Sequence, residues 1–343
     1  MALALGVSSA ATAQTDGSAA QLTAQVATYD RSDRQAYLLE RARKEGTVSV
    51  YHSMPVEHMT VVAAAFTQKY GVKVKVWRSG SEAVLQRIVT ESRAGRFEVD
   101  LAENNSLDNE ALHREKLLQP VNSPFIADLI PQASPAHKAW VGTSIHIWVA
   151  AYNTDKVKKD ELPKTYQDLL NPRWKNRLGI EADNYAWFST LTAALGEPAG
   201  TKLFNDIVAT NGISARKGHS LLTNLVASGE VPLALTTYSY MPEGLKKKGA
   251  PVDWIALSPT VALFQTVALL KTAPHPHAAM LFYDFLITDG QALLTEKQWI
   301  STSKNNDQPI AKLPLKFVDA AKTLDSNAKL IKNWEDAVTK RGM

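Results

Sequence analysis

Cysteine is missing from all 343 residues, which excludes thiol nucleophiles, disulfides, thiolate-held metals and a lipidated cysteine anchor. No segment reaches the ~18 uninterrupted apolar residues that a membrane-crossing helix needs, so no membrane span is expected. Enzyme and nucleotide signatures are missing too: there is no G-x-x-x-x-G-K-[ST] loop, G-x-G-x-x-G turn, G-x-S-x-G elbow or H-E-x-x-H pair. Zinc-finger spacing, an RNP-like motif and a basic arm are equally absent, and the formal charge of +4 is scattered along the chain. Short runs such as Lys246-Lys247-Lys248 read as solvated helix faces. Nucleic acid is therefore not an expected partner, and the residues alone indicate neither a cofactor nor a metal.

What is present is an ordinary globular composition, 45% hydrophobic and 21% charged, long enough for two domains. The first residues, "MALALGVSSAATAQTDGSAAQ", combine a short apolar run with Ala11-Thr12-Ala13, an A-x-A cleavage pattern, but lack a basic start. They read as the end of a secretory signal. Residues 14 to 32 are small and polar, and disorder is expected there. The expectation is an exported, soluble, periplasmic protein.

From Asp33 onward strands and helices alternate. "TVSVYHS" reads as a strand and "PVEHMTVVAAAFTQKYG" as a helix. "VKVKVWRSGS", "EAVLQRIVTESRAG" and "FEVDLAENN" continue as strand, helix and strand. After a proline-rich break the pattern resumes, from the apolar strand "VGTSIHIWVAAYNT" through "VPLALTTYSYMPEGLKKKG". "HAAMLFYDFLITDGQALLTE" reads as one amphipathic helix and the tail as helical. This grammar argues for βαβ units and mostly parallel sheets. The organisation expected is a leader and tail over 1–32, lobe 1 over 33–143 plus 255–300, and lobe 2 over 144–254 plus 301–343. The chain would cross between lobes near Ser144–Asn153 and Pro259–Leu270.

Open α/β sheets hold ligands at the carboxyl ends of strands and the N-termini of helices. Polar residues recur at such places: His52 and Ser53, Ser79-Gly80-Ser81, Asn104 and Asn105, Asp183 and Tyr185, Lys217 and His219, and Tyr238-Ser239-Tyr240. Trp148 is a candidate stacking surface. Each has a plainer reading: Ser79, Ser81 and Ser220 are natural helix caps, and Tyr238 and Tyr240 alternate as any strand does. Their common topological position makes them a candidate binding site. No catalytic residue is assigned, although an acid–base pair such as Glu103 with His52 keeps an enzyme as an alternative.

The stretches "EGTVSVYHS…AFTQKYGVKVKVWRSGSEAVLQRI", "VDLAENN", "YNTDKVKKDELPKTYQDLLNPRWKNRLGI", "SGEVPLALTTYSY" and "HPHAAMLFYDFLITDGQALL" resemble the periplasmic solute-binding proteins of type 2 fold, the ferric-iron-binding branch in particular. The resemblance implies a two-lobed α/β receptor that closes over a small solute and delivers it to the membrane permease of an ABC importer. It also implies Fe(III) ligands at four positions: a histidine falling here on Pro55, a glutamate falling on Asn105, and two tyrosines falling on Ser239 and Tyr240. Proline, asparagine and serine are poor ligands for a hard cation that favours deprotonated oxygens. The expected solute is therefore a small organic anion, bound without metal, with Arg78 and helix N-termini as donors. An amine-bearing solute is an alternative if Glu103, Glu181 and Asp183 face it. Ferric iron, on a ligand set rebuilt from Glu103, His52, His58 and Tyr238, is the other alternative.

Overall fold

A computed structural model describes the backbone of residues 8–339 and the side chains of 18–338. The start of the expected export segment, residues 1–7, and the side chains of Ala11-Thr12-Ala13 lie outside the described residues. Helices α1 (Ser8–Ala27) and α2 (Arg34–Glu45) precede β1 (Thr47–His52), α3 (Val56–Tyr70) and β2 (Lys73–Arg78). Next come α4 (Ser81–Arg93), β3 (Leu101–Asn105), α5 (Ser106–Arg114) and β4 (Leu118–Gln119). The long β5 (Val141–Asn153) leads to β6 (Leu178–Glu181), α6 (Tyr185–Ala194), α7 (Ala199–Asn211) and β7 (Ser214–Arg216). Then follow α8 (His219–Ser228), β8 (Leu233–Tyr238), α9 (Tyr240–Lys247) and β9 (Val252–Ile255). A second long strand, β10 (Thr260–Leu270), is followed by α10 (Pro276–Leu286), α11 (Asp289–Glu296) and β11 (Ile300–Ser301). The chain continues with β12 (Leu315–Phe317), α12 (Ala320–Asp325) and α13 (Asn327–Trp334).

Two compact units result. Unit 1 takes Met1–Ser144, Phe264–Thr295 and Ser301–Asn306; unit 2 takes Ile145–Leu263, Glu296–Ile300 and Asp307–Met343. The divisions at Ser144 and Leu263 fall inside β5 and β10.

In unit 1 the strand order is β2-β1-β3-β10, with β4 also on β10. The pairs β1–β2 and β1–β3 are parallel, joined by helices as βαβ units require, whereas β10 runs antiparallel to β3. Helix α4 and strands β1, β3 and β10 enclose an apolar core of Val84, Ile88, Ala102, Leu112, Ala268 and Leu270. In unit 2 the order is β5-β8-β6-β7; β6 is parallel to both neighbours, and β8 and β9 are antiparallel to β5. Leu222 and Val226 of α8 pack there on Val231, Ala234 and Ala151. The expectation of mostly parallel sheets thus holds for the βαβ strands and not for the pairs of β10 with β3 and β4 or of β5 with β8 and β9, which are antiparallel.

Four local expectations differ from the structure. The stretch expected to be disordered contains α1, an Ala-rich helix whose last turn buries Thr23, Val26 and Ala27 and whose Ala27 carbonyl accepts the Asn122 N–H at 3.0 Å. The helix read as one amphipathic element is two. All of α10 is buried, and the Thr288 hydroxyl bonds back to the Asp284 carbonyl at 2.7 Å, a contact that bends helices. The tail opens with a strand, β12, paired parallel to the first residues of β10. Finally, the serine caps are absent: α4 is entered through Gly80 and α8 through Gly218, neither with a side-chain cap.

Candidate functional site

The polar residues of the expected site fall into two sets, one in each unit. In unit 1, the parallel register places His52 opposite Arg78 on β2 and opposite Glu103 on β3. Residues opposite each other share a sheet face, so imidazole and carboxyl are neighbours. Both are sealed: His52 is 1% exposed and Glu103 0%. Burial pushes the Glu103 carboxyl up to about 8, because the charged form is the one that loses water. The Gln265 amide and the Met54 N–H oppose that shift, yet neither carboxyl oxygen has a partner at hydrogen-bonding geometry, so burial dominates. Burial, and then the nearby Arg78 charge, hold His52 down at about 4. Both groups are therefore neutral at pH 7.

The rest of the unit 1 set is engaged in holding the loops. Ser53 donates its N–H to the Glu103 carbonyl at 3.0 Å, and its hydroxyl accepts from Gln265 Nε2 at 3.0 Å. Ser79 donates its N–H to the His52 carbonyl at 3.2 Å. Buried Asn104 donates through Nδ2 to the Ser81 carbonyl at 2.9 Å and accepts the Asn105 N–H. Asn105 caps α5, accepting the Asp108 N–H at 3.0 Å. These amides position β3 and α5. Gly80, before α4, adds backbone alone.

Unit 2 is different. At the end of β6, Glu181 accepts the Gly218 N–H at 3.0 Å and the Asp183 N–H at 2.8 Å, so its carboxylate organises two loops. Asp183 and Lys217 form an exposed pair at 3.7 Å. Tyr185 opens α6, beside buried Asn184, whose Nδ2 lacks a partner. Around the end of β8 an aromatic cluster gathers. Tyr238 lies against His219, ring centroids 4.2 Å apart, and stacks with Tyr240 at 6.2 Å and 11°. Trp148, opposite Tyr238 in the β5–β8 register, closes at 5.5 Å. His219 is half-buried, and desolvation lowers its basicity; its Nδ1 sits 2.9 Å from the Thr236 carbonyl. Ser239 is buried and donates its N–H to the Ile147 carbonyl.

Two members of this cluster were not expected from sequence. His146, two residues before Trp148 on β5, lies 5.0 Å from Tyr238 and 5.2 Å from Tyr240. Strand alternation could have found it. Trp299, 5.1 Å from Tyr240, is remote in sequence and carried no signal. Among the described residues no three His, Asp or Glu side chains converge as a metal set. The cluster's chemistry is phenol oxygen and imidazole nitrogen.

The chain belongs to the bacterial extracellular solute-binding proteins, a family that matches residues 57–293. It is thus a two-lobed, periplasmic or extracellular transport receptor of the type 2 fold and not an enzyme, and its family implies an ABC importer permease as partner. It is 29% identical to the Fe(3+)-binding periplasmic protein of Serratia marcescens over 214 residues, 60% of this chain and 61% of that protein. It is 27% identical to the major ferric iron-binding protein of Neisseria gonorrhoeae over 294 residues, 80% of this chain and 87% of the relative. Among solved structures, the periplasmic binding protein AfuA of Actinobacillus pleuropneumoniae, with fructose-6-phosphate bound, superposes with TM-score 0.75 at 24% identity. That match covers 86% of this chain and 99% of AfuA, and shows the fold alone. The two sequence relatives are named for ferric iron, which overturns the expectation of a small organic anion. The misreading came from weighing the lost ligands at Pro55 and Asn105 above the phenols that remain.

Proposed function

We propose that this receptor carries ferric iron to its importer, on a ligand set rearranged around Tyr238 and Tyr240. The observation that carries the reading is the pair of phenols side by side at the end of β8, in a chain whose relatives are named for ferric iron. Fe(III) favours anionic oxygen, and its ligands must lose their protons to bind. Of the residues weighed for a rebuilt site, Glu103, His52 and His58 are buried inside unit 1, and the Asn105 amide is occupied by α5. No three acidic or histidine side chains converge among the described residues, and phenolate is the anionic oxygen that the paired tyrosines offer the iron.

The test is optical. Metal-free protein mixed with ferric nitrilotriacetate and desalted should retain iron and show a visible phenolate-to-iron absorption band. Tyr240→Phe and Tyr238→Phe should each weaken that band and iron retention. A desalted wild type that is colourless and iron-free would sink the reading.

A further inference from the structure

We propose that His219 supplies a nitrogen ligand to the iron through Nε2, beside Tyr238; this rests on the ferric reading above. A carbonyl oxygen has no proton to give, so the 2.9 Å contact between His219 Nδ1 and the Thr236 carbonyl fixes the ring proton on Nδ1. The lone pair then lies on Nε2. An imidazole tied through one nitrogen to a backbone carbonyl is the arrangement that orients metal-binding histidines. Imidazole also suits iron among the first-row metals.

The orientation is held from several sides. Thr236 is itself fixed, its hydroxyl accepting the Glu181 N–H at 2.9 Å. The preceding Gly218 adopts φ +100°, a conformation that favours glycine, and donates its N–H to Glu181 Oε1. One turn on, the Thr223 hydroxyl bonds the His219 carbonyl at 2.8 Å. Ring contact with Tyr238, centroids 4.2 Å apart, sets the imidazole against the tyrosine ring.

Other histidines fit less well. The position implied by the resemblance holds Pro55, which offers no donor, and His52 and His58 are buried inside unit 1. His146 is 4% exposed and packs on Tyr238, Tyr240 and Trp299, which suits a buttress for the tyrosines. His219 combines partial exposure, a fixed tautomer and contact with a proposed phenolate ligand.

Electron spin-echo modulation of the iron-loaded protein tests this without a variant, since a directly bound imidazole imprints nitrogen-14 modulation on high-spin Fe(III). Wild type should show it. His219→Asn, whose amide N–H can still reach the Thr236 carbonyl, should keep the visible band, lose the modulation and bind iron on the order of tenfold more weakly. His146→Asn should keep the modulation. Iron-loaded wild type without nitrogen modulation, or His219→Asn retaining it, overturns the histidine assignment and leaves the tyrosines untouched. Wild type that takes up no iron overturns the ferric reading and this assignment together.

Discussion

At residue scale, the oddest feature of unit 1 is a carboxyl and an imidazole buried side by side, each in its neutral form. Glu103 has its pKa raised from 4.5 to about 8, so between those values the unfolded chain has lost a proton that the folded chain keeps, and stability falls as pH rises. His52 is lowered from 6.5 to about 4, so between those values the unfolded chain gains a proton that the folded chain refuses, and stability falls as pH drops. From about pH 4.5 to 6.5 the two slopes oppose and cancel; above 6.5 only the Glu103 slope of this pair remains, roughly 1.4 kcal/mol per pH unit at most. Urea midpoints of the metal-free protein should therefore decline between pH 6.5 and 8. Glu103→Gln should reduce that decline to the part left by Asp108, which burial also raises to about 7, and, at pH 8, gain on the order of a few kcal/mol over wild type. A wild-type midpoint that is level across this window, or an undiminished decline in Glu103→Gln, would contradict the assignment. The sequence suggested Glu103 and His52 as a pair but not their burial. "VDLAENN" shows a carboxylate near a strand end, but its burial depends on the register with β1 and on β10 covering β3.

At the scale of elements, α10 is the hub of unit 1. All eleven of its residues are buried, and its first turn is capped from α2, where Glu45 accepts the N–H groups of His277 and Ala278 and touches His277 Nδ1 at 2.7 Å. Arg34 of α2 pairs with Asp284 at 2.7 Å, with both side chains under 10% exposed, and also donates to the Tyr29 carbonyl. Breaking such a pair strands a buried charge. Arg34→Ala should cost about 3–5 kcal/mol of unit 1 stability, while a matched apolar replacement of both partners should cost much less; equal losses in urea unfolding would refute the stranded-charge explanation. The alternation of strands and helices was readable because apolar runs of strand length and helical spacing recur between Gly and Pro stops. What was not readable depended on tertiary contact. Ala, Ser and Thr gave α1 the look of a tail until Val26 and Ala27 met their neighbours, and Ser79, Ser81 and Ser220 resembled caps that glycines at 80 and 218 turned out to replace. The site was half legible: Tyr238 and Tyr240 from a strand end and His219 from a helix start gather with Trp148, named as a stacking surface, whereas Trp299 joins from a distance no motif spans.

For the whole molecule, the family defines a receptor that hands its solute to an importer, and the proposed iron site gives a role to the two phenols at the end of β8 in a chain without cysteine and with no histidine–carboxylate triad among its described residues. Because phenolates must give up protons to bind Fe(III), iron should be held more weakly as pH falls, with the visible band and bound iron lost together on acid titration. An iron load independent of pH down to about 4 would mean that tyrosine is not the donor. The central claim is tested most directly by native mass spectrometry of the protein purified from an exporting host, before and after loading with ferric citrate. The expected result is a mass increase of one iron per chain, less the protons released, reduced in Tyr240→Phe. A protein that keeps its metal-free mass after loading, or that arrives carrying an organic solute iron does not displace, would contradict it.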